Sequence, residues 1–318
     1  MSAAIDVARA RRRRAERRDW LAALPFLAPW LIGLVLFFGY PLVSTLVLSF
    51  TRYDQYSAPT FVGLKNWVYV LTQYRPFVQA LTNTGILIAL MVPLSTVFAL
   101  FTGMVVLKVR RGSGVFRTLY YLPYLAPPVA ATLAFVFLLS PRGALNQFLG
   151  VLGITGPNWF GDPSTSKLAL TLLTLWGVGN LMVIFLAALL DVPEQLYEAA
   201  SLDGAGPVAQ FWYVTLPTLR PILLFSVVTG VIQTMQYYTQ AVVAGRVASG
   251  QSIGPGAGFE LGYPGGSTLT LPQLVYTFGF QNFDAGSASV VAVIMMIAAL
   301  ALTSVLLTRG SAFMTEGE

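Results

Sequence analysis

The chain has 318 residues, of which 56% are hydrophobic and 10% are charged, with a net charge of +6. Because soluble domains carry about 25% charged residues, this composition predicts a protein whose surroundings are mostly lipid. Cysteine and histidine are both absent. Their absence excludes disulfides, thiol nucleophiles and the commonest general base and metal ligand, so we expect no catalytic site and no metal site.

Six uncharged stretches are long enough to cross a bilayer, which takes about 20 apolar residues. They lie at 21–50, 77–107, 118–139, 168–190, 221–244 and 287–308. Pro41 and Pro93 fall inside two of these spans, where we expect kinks. The predicted fold class is an all-α integral membrane protein with six transmembrane helices, whose membrane domain covers residues 21–308.

The segment before the first span, residues 1–20, is basic, with arginines between positions 9 and 18. The apolar stretch after it is about twice as long as the core of a signal peptide, so we expect a retained anchor. Lysine and arginine are more numerous on the side of this segment, which includes the short loop 108–117. The bias predicts a multi-pass protein of the cell membrane with both termini, 1–20 and 309–318, in the cytoplasm.

The arginine run has two interpretations, a topology signal that also touches anionic lipid and a nucleic-acid site. No aromatic residue interleaves the arginines, which favours the first, so we expect no nucleic-acid partner. With the termini inside, residues 51–76, 140–167 and 245–286 are outer loops, and the last of these is rich in glycine.

Residues 191–220, between spans 4 and 5, combine helix and turn signals. Pro193 can open a short helix, on which Glu194 and Glu198 share one face. Gly204 can end that helix with a positive φ. A second amphipathic segment follows, with apolar residues at Phe211, Trp212 and Leu216 before Pro217. The composition alone equally allows an interfacial hairpin that only joins two spans.

The spacing within this loop is more specific than its composition. Glu198-Ala199-Ala200, Gly204 and Leu216-Pro217 resemble the signature loop of permease subunits of binding-protein-dependent ATP-binding-cassette importers, with Val214 where the family usually has isoleucine. The resemblance implies a cytoplasmic coupling helix that docks on an ATPase subunit. The residues it implies for this role are Glu198, Ala199, Ala200, Asp203, Gly204, Leu216 and Pro217.

Further motifs resemble the sugar-uptake branch of this family, the maltose- and glycerol-phosphate-type importers. They are residues 61–67, Phe116-Arg117-Thr118 with Leu122-Pro123, and 280–284. The outer glycine-rich loop departs from the family pattern, since it carries Gly254-Pro255-Gly256 in a longer stretch. The resemblance leaves the sugar or polyol open.

The same resemblance implies an assembly. Its members are a second homologous permease subunit, two ATPase subunits that bind ATP and magnesium, and a soluble or lipid-anchored solute-binding protein. This chain would then be a transport subunit and not an enzyme, with no cofactor of its own. None of its lysines, at 65, 108 and 167, follows a glycine, so it lacks the Gly-Lys pair of an ATP-binding P-loop.

The spans contain no charged residue, which favours a neutral solute. On a continuous helix, one arc of span 5 is polar: Ser226, Thr229, Gln233, Gln236, Tyr237 and Gln240. Trp176 and Asn180 lie one turn apart in span 4 and can face the same space. We expect Gln233, Gln236, Tyr237, Gln240, Trp176 and Asn180 to line a solute path, although polar side chains also hold membrane helices together.

Two other function classes are disfavoured by what the spans lack. A membrane enzyme, such as a lipid-linked glycosyltransferase, needs a cluster of acids, bases or metal ligands near the membrane surface. The carboxylates outside the coupling loop are scattered singly. An ion-coupled transporter needs carboxylates within the membrane, and the spans have none.

Overall fold

The computed structural model describes residues 25–109, 111–250 and 261–315. The segment 1–20, the run Gly254-Pro255-Gly256 and the last three residues of the predicted tail lie outside the described residues. The described chain is mostly helical, as predicted. Its helices are α1 (Pro25–Leu48), α2 (Lys65–Val68), α3 (Arg75–Lys108), α4 (Ser113–Leu125), α5 (Pro128–Leu138), α6 (Ala144–Val151), α7 (Ser166–Trp176), α8 (Gly179–Leu190), α9 (Glu194–Leu202), α10 (Pro207–Thr218), α11 (Arg220–Met235), α12 (Thr239–Ala248), α13 (Leu271–Tyr276) and α14 (Ala285–Thr315).

Two predicted spans contain proline without ending at it. In α1 a π-helical turn, Val35–Gly39, ends two residues before Pro41. Helix α3 continues past Pro93 without a break. By length and composition, α1, α3 and α14 can each cross a membrane alone.

The other three predicted spans are interrupted and not continuous as expected: 118–139 and 168–190 at bent helix pairs, and 221–244 at residues 236–238, between α11 and α12. The bend between α10 and α11 comes just before 221–244. Helices α4 and α5 are bent by 98°, α7 and α8 by 52°, and α10 and α11 by 67°. If each bent pair is counted as one span, the described residues contain up to six spans. The break at Ala126 has a local cause, because Pro127 and Pro128 cannot donate backbone hydrogen bonds to continue the helix.

A close contact between α4 and α8 depends on a glycine. A Cβ atom at Gly179, the first residue of α8, would lie 2.1 Å from the carbonyl oxygen of Tyr120. Only glycine permits backbones to approach this closely. Further along α8 from Gly179, the helix packs against α3 and α11 around a buried cluster that includes Phe185, Met182 and Leu219.

One end of the bundle is covered by short elements from distant parts of the chain. Strands β1 (Thr51–Arg52) and β2 (Thr60–Phe61) pair antiparallel, with Thr51 opposite Phe61. The Asn66 side chain donates to the Thr51 carbonyl oxygen at 2.8 Å. Asn83 of α3 donates to the Gly266 and Leu269 carbonyl oxygens, at 2.8 and 3.0 Å. These bonds attach the predicted outer loops to the helices.

Candidate functional site

A cavity of about 520 Å³ lies among α3, α4, α5, α7, α8, α11 and α12. Interruptions within all three of these predicted spans contribute to its wall: Ala126 between α4 and α5, Gly177 between α7 and α8, and Gln236 between α11 and α12. Helix interruptions at membrane depth are tolerated where the freed backbone lines a cavity or is buried in protein. The breaks that the sequence analysis did not predict are therefore part of the geometry of this site.

The structure places every residue of the predicted polar stripe on the wall of this cavity, together with Trp176 and Asn180. The stripe does not lie on one continuous helix. Helix α11 ends at Met235, Gln236 and Tyr237 lie in the connection, and Gln240 belongs to α12. The predicted continuous helix over 221–244 is therefore wrong, although its polar residues converge on one space.

The stripe residues differ in how they are held. Tyr237 is only 8% exposed, and its hydroxyl lies 3.4 Å from Thr174 Oγ1 and 3.5 Å from the Leu170 carbonyl oxygen. Ser226 is buried, and its Oγ lies 3.2 Å from Thr96 Oγ1. These two hydroxyls connect α11 and its extension to α7 and α3, so packing accounts for their positions.

Gln233 and Gln236 differ from Tyr237 and Ser226, because their side chains are not engaged in packing between helices. Gln233 and Gln236 are exposed on the cavity wall. Within the described part of the chain, their side-chain amides make no hydrogen bond. A free amide offers two donors and an acceptor. Trp176 is 41% exposed, and its ring centroid lies 5.4 Å from that of Phe135, so the indole is braced with much of its surface open.

The sequence analysis missed polar and aromatic residues from other elements. The wall also includes Ser95, Thr96, Tyr124 and Phe225. Ser95 and Thr96 form a polar pair in the apolar stretch 85–101, a signal that could have been used. Among the described residues that line the cavity, none carries a charge.

The predicted coupling loop forms a hairpin of two short helices, α9 and α10. Gly204 has a φ of +81°, as predicted. The Ala205 amide donates to the Ala200 carbonyl oxygen at 2.9 Å, and the Gly204 amide donates to that of Ser201 at 3.1 Å. A left-handed residue just beyond the last turn is the common way to end a helix.

Side-chain bonds join the two arms of this hairpin. The Tyr197 hydroxyl lies 2.9 Å from Thr215 Oγ1. The Gln210 amide donates to Ser201 Oγ at 2.9 Å. These side-chain hydrogen bonds hold α9 and α10 together in addition to the backbone bonds of the turn at Gly204.

The predicted loop residues divide between two sides of the hairpin. Glu198, Ala199, Asp203 and Gly204 are exposed, and Ala200 is half-buried. Leu216 and Pro217 are also half-buried, and Leu216 packs against the buried cluster around Phe185. Pro193 precedes the helix as its N-cap and does not occupy the first turn as expected.

The exposed apolar residues of the hairpin were not singled out from the sequence. Leu202 is 90% exposed, Tyr213 82% and Val208 73%. Leucine and valine at a loop tip are the available signal, since such residues are usually buried. Together with Trp212 they present apolar surface beyond the bundle core.

Comparison with known proteins places the chain in a family. The family model described as "Binding-protein-dependent transport system inner membrane component" matches residues 95–312. The "Probable ABC transporter permease protein YesP" of Bacillus subtilis (strain 168) is 32% identical over 300 residues, which cover 94% of this chain and 93% of that protein. The "Arabinooligosaccharides transport system permease protein AraP" of Halalkalibacterium halodurans is 31% identical over 278 residues, covering 85% and 82%.

A solved structure has the same fold. It is titled "Crystal structure of bacterial alginate ABC transporter in complex with alginate pentasaccharide-bound periplasmic protein". The TM-score is 0.77 at 20% identity, over 95% of this chain and 97% of the matched chain. The matched family model, the full-length relatives and this fold agree, and the chain belongs to the family of inner membrane components of binding-protein-dependent transport systems.

Proposed function

We propose that this chain is the permease subunit of an ATP-driven importer and forms half of the path for a neutral sugar or related polyol. The observation that carries the proposal is the cavity between broken helices, whose described lining residues include free side-chain amides and an open indole and carry no charge. Hydrogen-bonding groups can replace the water that a sugar hydroxyl loses, and an aromatic face can cover its apolar C–H surface. An anionic solute would need a compensating positive charge.

The topology proposed with this function has six spans: α1, α3, the three bent pairs and α14. Both termini lie in the cytoplasm, as the lysine and arginine bias predicts. The α9–α10 hairpin is then cytoplasmic and the β1–β2 end is extracytoplasmic.

The hairpin is the proposed coupling element. Its exposed acidic residues, Glu198 and Asp203, and its exposed apolar side chains would dock on a separate ATPase subunit, which holds ATP and magnesium. Leu216 and Pro217 would act indirectly, by anchoring the hairpin to the bundle. The proposed assembly contains a second homologous permease subunit, two ATPases and a soluble or lipid-anchored solute-binding protein.

The relatives guide the choice of solutes for a test. The name of the AraP relative refers to arabinooligosaccharides, so arabinotriose serves as one neutral probe. Lactose is a second neutral probe, and sn-glycerol 3-phosphate is the anionic probe. The complete complex is reconstituted in proteoliposomes with its binding protein, and uptake of each labelled probe is measured with and without ATP.

We expect ATP-dependent uptake of a neutral probe and none of the anionic one. Uptake that continues without ATP or without the ATPase subunits would reject an ATP-driven importer. Uptake of sn-glycerol 3-phosphate alone would retain the importer and reject the neutral solute. A complex that carries none of the probes would reject the proposed solute class.

A further inference from the structure

We infer that Ser95 is a solute-contacting residue whose hydroxyl binds a hydroxyl group of the transported saccharide. The inference rests on the proposed function and adds to it a residue on α3, a helix from which the sequence analysis assigned no site residue. Ser95 lies on the wall of the cavity. Its Oγ atom is buried, and it has no hydrogen-bond partner in the described part of the chain.

The other hydroxyl side chains of α3 provide the comparison. Thr82, Thr84 and Thr102 each donate to the carbonyl oxygen four residues earlier, at 2.9, 2.7 and 2.8 Å. Thr96 is paired across the helix interface with Ser226. On this fully described helix, Ser95 is therefore the one hydroxyl without a partner.

Residues next to Ser95 on α3 pack against helices on both sides. One turn earlier, Met91 Sδ lies 3.8 Å from Thr174 Oγ1 of α7. On the other side, the Val92 side chain lies against Gly230 of α11, since a Cβ atom at Gly230 would be 3.3 Å from Val92 Cγ1. Helix α3 thus contacts both α7 and α11 near Ser95, which itself belongs to the cavity wall.

An unpartnered buried hydroxyl destabilises a protein, and alanine would avoid that cost. Because Ser95 belongs to the cavity wall, rotation about its χ1 bond can present the hydroxyl to a ligand as donor and acceptor. The absence of charge from the described lining residues and the presence of Gln233 and Gln236 in the same space fit a polyhydroxylated solute. The geometry therefore assigns Ser95 to the recognition of one solute hydroxyl.

The test measures equilibrium binding to the purified permease–ATPase complex in lipid nanodiscs, without the binding protein, so that only the permease site is read. The probe is labelled arabinotriose or lactose, whichever the wild-type complex takes up. The variants are Ser95→Ala, Ser95→Thr, which keeps the hydroxyl, and Thr102→Val as a control on the same helix outside the cavity. Singly deoxygenated forms of the probe are tested as competitors.

We expect Ser95→Ala to weaken binding by about 5- to 30-fold, with a melting temperature equal to or above that of wild type. Ser95→Thr should restore most of the affinity, and Thr102→Val should leave it unchanged. One deoxy analogue that wild type binds more weakly than the parent should bind Ser95→Ala as well as the parent does.

Two results would overturn the inference while the proposed function stands. One is wild-type affinity in Ser95→Ala with unchanged ranking of the deoxy analogues. The other is an equal loss for all analogues that Ser95→Thr does not restore, because this indicates a packing role. If the wild-type complex neither binds nor transports either neutral probe, the proposed function fails and this inference fails with it.

Discussion

Replacing Gly204 by valine tests the hairpin as the coupling element with a perturbation confined to one backbone position. Gly204 has a φ of +81°, and a Cβ built there meets no atom within 4 Å. The substitution therefore introduces no steric clash. Its cost comes from placing a β-branched residue in the left-handed region, about 1–2 kcal/mol for an ordinary side chain and more for valine.

This cost falls on a hairpin at the surface, so we expect the bend to open locally and the bundle to stay folded. A penalty of 1–2 kcal/mol lowers the ratio of bent to open hairpin by about 5- to 30-fold. If the ATPase binds only the bent form, its apparent Kd rises by up to the same factor, in proportion to the loss of the bent population. The subunit should still insert, and transport should fall at limiting ATPase concentration.

Gly206→Val is the matched control. Gly206 has a φ of −75° and a ψ of 173°, an extended conformation that suits a residue before Pro207. A Cβ at this position also meets no atom within 4 Å. Both variants add the same side chain in open space two residues apart, and only the left-handed position should be affected.

The measurement is ATPase binding to the nanodisc-reconstituted permease by titration, with transport in proteoliposomes and the melting temperature alongside. Equal ATPase affinity for Gly204→Val and wild type would refute the reasoning, as would an equal loss in both glycine variants. An unchanged Kd with full transport would favour a hairpin that merely joins two spans.

Further substitutions test the cavity, the topology and the outer cap. Gln233→Leu should weaken solute binding by about 5- to 150-fold without lowering the melting temperature, whereas Tyr237→Leu should lower it through lost packing and hydrogen bonds; the reverse pattern would contradict the cavity geometry. A cysteine in place of Ser201 should react with an impermeant maleimide in inverted vesicles and not in intact cells. Asn83→Leu should destabilise the complex by about 1–3 kcal/mol per buried carbonyl left unpaired, and an unchanged melting temperature would argue against the bonds of Asn83 to residues 266 and 269.

The residues predicted for the site lie together, but their individual situations depend on neighbours. Tyr237 and Gln236 are adjacent in the sequence and both polar, yet one is buried between helices and the other is exposed in the cavity. Leu216 belongs to the signature of the loop, yet it packs toward the bundle. Sequence spacing assigns residues to a segment, whereas burial depends on what packs against it.

The sequence by itself determined the membrane class, the helical segments and the bend at Gly204. Each follows from local chemistry: apolar stretches long enough for a bilayer, and a glycine where the chain needs a positive φ. Only the tertiary structure decided where the spans break and which hydroxyls find partners. A helix break with its freed backbone groups is stable only where other helices enclose it. Whether a hydroxyl such as that of Ser95 or Thr96 finds a partner depends on which side chains the neighbouring helices bring near it. Such long-range packing has no counterpart in the local pattern of residues.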